Sequence, residues 1–259
     1  SIRRQLRRQV QAISTPTPRL VIEAFGQASV SVNGKPLTLS DWQTQAVRDL
    51  FFYFLSEGRP LTKEQIGEAL WQETSDPAKL KLRFKNEMYR LRRAVGQDVI
   101  LFSDNYYSFN RELDYEYDVE AFDSFLERAK TSNDPLEKMS FYSRAIELVR
   151  GPYLNETYAD WVIPDRERLR QAYLDALMDL AKLQISQAQP QSAVTTCQRA
   201  IESDPGNEAA YQVLMQAYSR LGDRSAVTRT YKECSAAMSR LYNLPLTKET
   251  EELYRRLMR

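Results

Sequence analysis

The chain has 259 residues, enough for two modest domains that each bury a core, and its 42% hydrophobic and 27% charged residues are the balance of a globular protein. It contains no histidine, which removes the commonest general base, nucleophile partner and metal ligand and weakens most enzyme readings. The net charge of +1 hides a segregation: residues 1–20 carry five arginines and no acid, residues 21–113 carry 12 basic and 12 acidic side chains, and residues 114–259 carry 19 against 23, so an anionic partner is expected for the first half alone.

No run of 18 apolar residues occurs, so no membrane partner is expected and the expected location is cytoplasmic. The chain opens with Ser1 rather than Met and lacks a secretion-signal pattern, which we read as the output part of a larger, signal-responsive regulator. Residues 1–18, "SIRRQLRRQVQAISTPTP", are basic and then rich in Ser, Thr and Pro, the pattern of a helix tail followed by a linker.

From Leu20, "LVIEAFGQASVSVNGKPLTLS" alternates with period two, breaks at Gly26 and contains Asn33-Gly34, a strong hairpin signal, so a small antiparallel sheet is expected. A first helix is expected from Ser40, with Gln43 completing a capping box and Trp42, Ala46, Leu50 and Phe54 on one face before Gly58. A second begins with Thr62 and Gln65 in "LTKEQIGEALW" and runs for about three turns. The third has Asp76 as cap and Pro77 at its first position, and ends before Gly96. "DVILFSDNYYSFNREL" then reads as a hairpin around Ser103-Asp104-Asn105. Three helices with a short middle one, closed by a β-hairpin, make a winged helix-turn-helix, whose third helix enters the major groove of DNA.

That third helix packs seven basic side chains and one acid between Lys79 and Arg93. At 100° per residue, Leu80, Phe84, Met88, Leu91 and Val95 share a stripe that must face the core. Leu82, Asn86, Tyr89 and Arg93 then form the back, with Lys85 and Arg92 on one flank and Arg83 and Arg90 on the other. A solvated face usually mixes Glu with Lys at spacings of four, whereas here Glu87 alone interrupts the positive charge, and it lies nearer the core stripe. Asn86 suits bidentate contact with adenine, and Arg93 or Arg90 suits guanine or phosphate. Lys63, Asn105 and Tyr106 complete the expected phosphate and groove contacts.

From "YDVEAFDSFLERAK" onward the chain reads as helices. At a spacing of 34, Leu177 matches Tyr211, Leu180 matches Leu214, Ala181 matches Met215, Ala188 matches Gly222, Ala193 matches Val227, Cys197 matches Tyr231 and Ala200 matches Cys234. The two cysteines fit no CxxC pattern, and this register makes them packing residues rather than a zinc site or a disulfide. A degenerate pair, "VEAFDSFLERAK" and "LEKMSFYSRAIELV", is set apart by the aromatic insertion "GPYLNETYADWVIPD", whose Tyr153, Tyr158 and Trp161 are expected to tie it to the repeats.

Three resemblances carry this further. "YRLRRAVG", Tyr89 to Gly96, is similar to the recognition-helix end of OmpR-type DNA-binding domains, whose core positions fall on Phe84, Met88 and Leu91; at the wing, where that family often has Gly-Tyr, this chain has Tyr106-Tyr107. "DPGNEAAYQVLMQAYSRLG" resembles a tetratricopeptide repeat. Together with "LDYEYDVEAFDSFLERA", "YADWV" and "TKETEELYRRL", residues 19–259 resemble SARP-type (antibiotic regulatory protein) activators, in which an OmpR-type domain precedes a bacterial transcriptional activation domain. The resemblance implies binding to direct repeats in double-stranded promoter DNA, with self-association there, and recruitment of RNA polymerase.

The expected fold is therefore mainly α with small β: a winged helix-turn-helix over residues 19–113 and an α-helical tetratricopeptide-like domain over residues 114–259. No catalysis, cofactor or metal is expected. The alternative is a protein-interaction scaffold whose winged helix docks protein.

Overall fold

The computed structural model describes residues 18–259 apart from Ser75; the basic stretch expected to form a linker lies almost wholly outside the described residues. The described residues are mainly helical, with two small sheets. It divides into two compact units. One comprises the residues up to Asp118 together with Tyr153–Arg166, and the other comprises Val119–Pro152 and Glu167–Arg259. This differs from the break expected between residues 113 and 114. Among the described residues no helix is long and apolar enough to cross a membrane.

The first unit opens with β1 (Leu20–Glu23), β2 (Ser29–Val32) and β3 (Lys35–Pro36). Period-two alternation turns Leu20 and Ile22 into the core. The β2–β3 turn is Asn33-Gly34, both at positive φ (52° and 80°), the backbone that a tight hairpin needs and that this pair tolerates. A strand missed by the sequence reading, β6 (Tyr115–Tyr117), pairs in parallel with β1 and completes the order β3-β2-β1-β6. Its three residues sit next to a helix in sequence and their partner is almost a hundred positions away, so no local pattern marks them.

The expected first helix is two. The carboxylate of Asp41 accepts from the Thr38 N–H (2.8 Å) and hydroxyl (2.7 Å), starting α1 (Leu39–Trp42) earlier than a Ser40 cap would. Gln43 then takes φ 66°, and Thr44, accepting from the Val47 N–H, restarts the chain as α2 (Gln45–Ser56). Every residue of α2 from Leu50 to Leu55 is buried, so this helix is the centre of the unit rather than an amphipathic surface helix.

The reciprocal cap of α3 (Lys63–Leu70) forms as expected, Thr62 accepting from the Gln65 N–H while Gln65 accepts from the Thr62 N–H. The helix lasts about two turns rather than three, because Trp71 leaves the helical conformation and buries its ring. Asp76 caps α4 (Pro77–Val95), which ends at Gly96 with φ 116°. Its stripe Phe84, Met88, Leu91 and Val95 is buried as expected, and so is Glu87; Leu80 is half-buried and lies where a Cβ on Gly67 would be 2.5 Å from its Cδ1, so the missing side chain lets α3 approach α4. Strands β4 (Ile100–Ser103) and β5 (Tyr106–Phe109) form the expected hairpin through Asp104 and Asn105, both at positive φ. On its other edge β5 exchanges two 2.8 Å hydrogen bonds between Tyr107 and Leu61.

Tyr153–Arg166 also belongs to this unit, which corrects the expectation that its aromatic residues pack on the repeats. The Leu154 N–H donates to the Ala24 carbonyl (2.8 Å), Tyr153 and Leu154 are buried, the Trp161 ring meets Tyr53 edge to face at 5.4 Å, and Tyr158 is 91% exposed. Asp118 supports the same edge, its carboxylate accepting from the Ala24 and Phe25 N–H groups.

The second unit is helical, built from α5 (Asp118–Thr131) and α7 (Ile163–Ser186), whose first residues, Asp118 and Ile163–Arg166, belong to the first unit, and from α6 (Pro135–Leu148), α8 (Pro190–Ser203), α9 (Glu208–Arg220), α10 (Arg224–Tyr242) and α11 (Lys248–Leu257). Both members of five of the matched pairs are buried: Leu177 and Tyr211, Leu180 and Leu214, Ala181 and Met215, Ala193 and Val227, Ala200 and Cys234. Ala188 and Gly222 occupy equivalent turns, both at positive φ (56° and 73°). Cys197 and Cys234 are free and buried, and burial pushes each thiol up to about 12, which keeps them protonated packing groups.

Candidate nucleic-acid interface

The outward face of α4 is positioned by its own core stripe: with Phe84, Met88 and Leu91 buried, the residues half a turn away must point to solvent. Leu82 (61%) and Tyr89 (66%) are exposed, as are Lys79, Lys81, Lys85, Asn86 and Arg93. Among the described residues, no acidic side chain lies in salt-bridge range of Lys79, Lys81, Lys85 or Arg93. These four carry the free positive charge of the face.

The remaining arginines have intramolecular partners. Arg83 is half-buried, pairs with Glu73, donates to the Thr74 hydroxyl (3.0 Å) and lies 4.9 Å over the Trp71 ring. Its guanidinium holds the Glu73 carboxyl below its usual value. Arg90 reaches Glu87 at 3.3 Å. Arg92 donates to the Ile100 carbonyl (3.2 Å), so it ties α4 to the hairpin. Lys63, half-buried at the start of α3, has its Nζ 3.3 Å from a Glu64 carboxylate oxygen.

Lys63, Lys81, Lys85 and Arg92 converge on a groove of about 420 Å³ floored by Phe84, Met88, Tyr89 and Tyr107, and among the described residues no acid lines it. Beside it, Asn105 and Tyr106 are exposed at the hairpin tip. The structure thus brings together Lys63, Lys85 and Arg92 in one groove and Leu82, Asn86, Tyr89 and Arg93 on one helix face. Arg83 is held apart on Trp71.

Sequence reasoning missed Lys79 and Lys81 as members of this surface, although both stand in the same basic run. It also missed Leu101 and Phe102, exposed on β4, with the Phe102 ring 4.6 Å from Tyr107. Alternation marks Leu101 as outward. Phe102 has no such signal, because only a two-stranded sheet lies behind it.

A family model described as the bacterial transcriptional activator domain matches residues 117–258. The chain belongs to the bacterial transcriptional activator domain family. This is a family of transcription regulators and not an enzyme class. In fold the chain is similar to Mycobacterium tuberculosis EmbR, solved in complex with a low-affinity phosphopeptide, at 17% identity and a TM-score of 0.76 over 93% of this chain. The match takes in 65% of that structure's chain, so the present sequence spans less than two thirds of its length. The C-terminal tetratricopeptide-containing domain of a putative FK506-binding protein from Plasmodium falciparum matches at 15% identity and a TM-score of 0.41, over 54% of this chain and 87% of that one. No curated protein matches the sequence.

Proposed function

We propose that the first unit is a winged helix of the OmpR type, that α4 lies in the major groove of promoter DNA, and that the chain is a SARP-type activator whose helical unit contacts RNA polymerase. The observation that carries this reading is the outward face of α4. It presents four cations with no acidic partner among the described residues, follows a capped short helix and precedes a hairpin with an exposed tip. Such a face neutralises phosphates and releases condensed counterions. The fold similarity to EmbR over 93% of the chain and the activator-domain family support the same assignment.

Lys85 and Arg93 act as main cationic contacts, Lys63 as a phosphate contact, Asn86 as an adenine contact, and Asn105 and Tyr106 as the wing contact. Arg83, Arg90 and Arg92 orient the face through the partners described above. The DNA-binding unit extends beyond residues 19–113 to include β6 and Tyr153–Arg166, with the remaining helices as the activation unit. On the latter, a cavity of about 650 Å³ between α8, α9 and α10, bordered by Ile201, Tyr211, Tyr218, Arg229 and Arg240, is suited to a protein partner.

The test is binding of the chain to promoter fragments across a salt series. Each phosphate contact contributes about 0.9 to the slope of log affinity against log salt, so replacing Lys85 and Arg93 by alanine flattens that slope by about 2. Lys63→Ala weakens binding to all sequences alike. Affinity indifferent to salt, or a slope unchanged in the double variant, would overturn the assignment.

A further inference from the structure

Two large apolar side chains, Leu82 and Tyr89, stand in water in the middle of the cationic face of α4, one on each side of Asn86. Neither serves the core, which Phe84, Met88 and Leu91 already fill. The surrounding Lys79, Lys81, Lys85 and Arg93, without acidic partners among the described residues, disfavour an apolar protein surface as the occupant, because desolvating four cations costs more than two apolar groups return. A polyanion with apolar groups set between its charges fits both features. In the major groove of DNA only thymine offers such a group, the C5-methyl.

Resting on the reading that α4 enters the major groove, we infer that Leu82 and Tyr89 are specificity-determining residues that read thymine methyl groups on either side of an adenine held by Asn86. Leu82, Asn86, Tyr89 and Arg93 are spaced by four, three and four residues and so follow one line along the helix. With a rise of about 1.5 Å per residue the line is roughly 16 Å long, and at about 3.4 Å per base step it covers about five base pairs. The contacted element is rich in A·T pairs, with its thymines beneath Leu82 and Tyr89. The three arginines with partners of their own add little to this code: Arg83 is turned onto Trp71 and Glu73, Arg90 toward Glu87, and Arg92 toward the hairpin.

The experiment removes the methyl group and nothing else. The full chain selects its preferred element from a pool of random duplexes, and each thymine of that element is then replaced by deoxyuridine, one position at a time. At the contacted positions the loss of one buried methyl lowers affinity about fourfold, while other positions and the salt slope are unchanged. Leu82→Ala abolishes the difference between thymine and deoxyuridine at one position and Tyr89→Ala at the other. Tyr89→Phe retains it, since the ring and not the hydroxyl makes the contact.

Duplex binding with no discrimination at any thymine would overturn the inference and leave the proposed function standing, and so would discrimination that survives in both alanine variants. Absence of salt-dependent duplex binding would overturn the proposed function and the inference together.

Discussion

Arg166 is the residue on which the Tyr153–Arg166 segment depends. Its Nε donates to the Tyr153 carbonyl (2.8 Å), and one terminal nitrogen donates to the carbonyls of Leu154 (2.6 Å) and Thr157 (2.9 Å). The stretch so held buries Tyr153 and Leu154 and hydrogen-bonds to the β1 edge through the Leu154 N–H and Ala24 carbonyl. A hydrogen bond from a charged donor contributes about 1.5–3 kcal/mol when buried. Arg166 is half-buried, so three such bonds at or below the low end of that range amount to about 3–4 kcal/mol. Arg166→Ala should therefore cost about 3–4 kcal/mol, a large part of the roughly 5–15 kcal/mol that stabilises a domain. Arg166→Lys should lose about 2 kcal/mol, because an ammonium cannot span three carbonyls as the guanidinium fork does. The assay is amide hydrogen exchange, which resolves one unit of a two-unit chain where a single melting curve does not. The Leu154 amide should exchange faster in both variants, more so in the alanine variant. A loss below about 0.5 kcal/mol with Leu154 still protected would refute the assignment of Arg166 as the clamp.

In the helical unit, Ala188 takes φ 56° where its counterpart Gly222 takes 73°; Ala188→Gly should raise stability by about 1 kcal/mol by relieving the left-handed penalty, and an unchanged or lower urea midpoint would contradict this. Burial raises the carboxyl of Glu208, but the hydrogen bonds it accepts from Thr250 and Thr247 prevail and hold it below its usual value. Its stabilisation of the α11 start is thus present above the unfolded carboxylate pKa and is lost as pH falls through the lower folded one. Glu208→Gln should cost about 1–2 kcal/mol at pH 7 and flatten the acid side of the stability profile measured by thermal melts between pH 3 and 7; an unaltered profile would show that Glu208 is not responsible. The Tyr231 and Tyr254 rings stack at 4.1 Å and 16°, so a double-mutant cycle with alanine should give a coupling of about 0.5–1.5 kcal/mol, and a coupling near zero would place α11 on its other contacts alone.

What the sequence discloses follows how local each determinant is. The caps at Thr62 and Asp76, the hairpin at Asp104-Asn105 and the buried stripe of α4 each depend on residues within a few positions, and they form as their patterns imply. The partners of Arg83 and Arg92 were not legible, because a helical wheel ranks residues by angle and is blind to Trp71, Glu73 and the Ile100 carbonyl. Gln43 is a different failure: two competing caps, Thr38 with Asp41 and Thr44, start two helices where one hydrophobic pattern implied a single one. Strand β6 and the Tyr153 segment pair with β1 and with the loop that follows it, from opposite ends of a helical hairpin in sequence, and periodicity contains nothing about such pairing.

The family match begins at Tyr117, the last residue of β6, and so takes in the whole of Tyr153–Arg166. The activator-domain sequence therefore supplies part of the fold that presents the α4 face. A cut after Leu113 would remove β6, the Asp118 carboxylate that satisfies the Ala24 and Phe25 N–H groups, and the Leu154 bond to Ala24. Those backbone groups belong to the core edge, where each unsatisfied donor costs about 1–3 kcal/mol. The chain crosses between its units after residues 118, 152 and 166. Three crossings make the first unit a composite of two stretches of sequence.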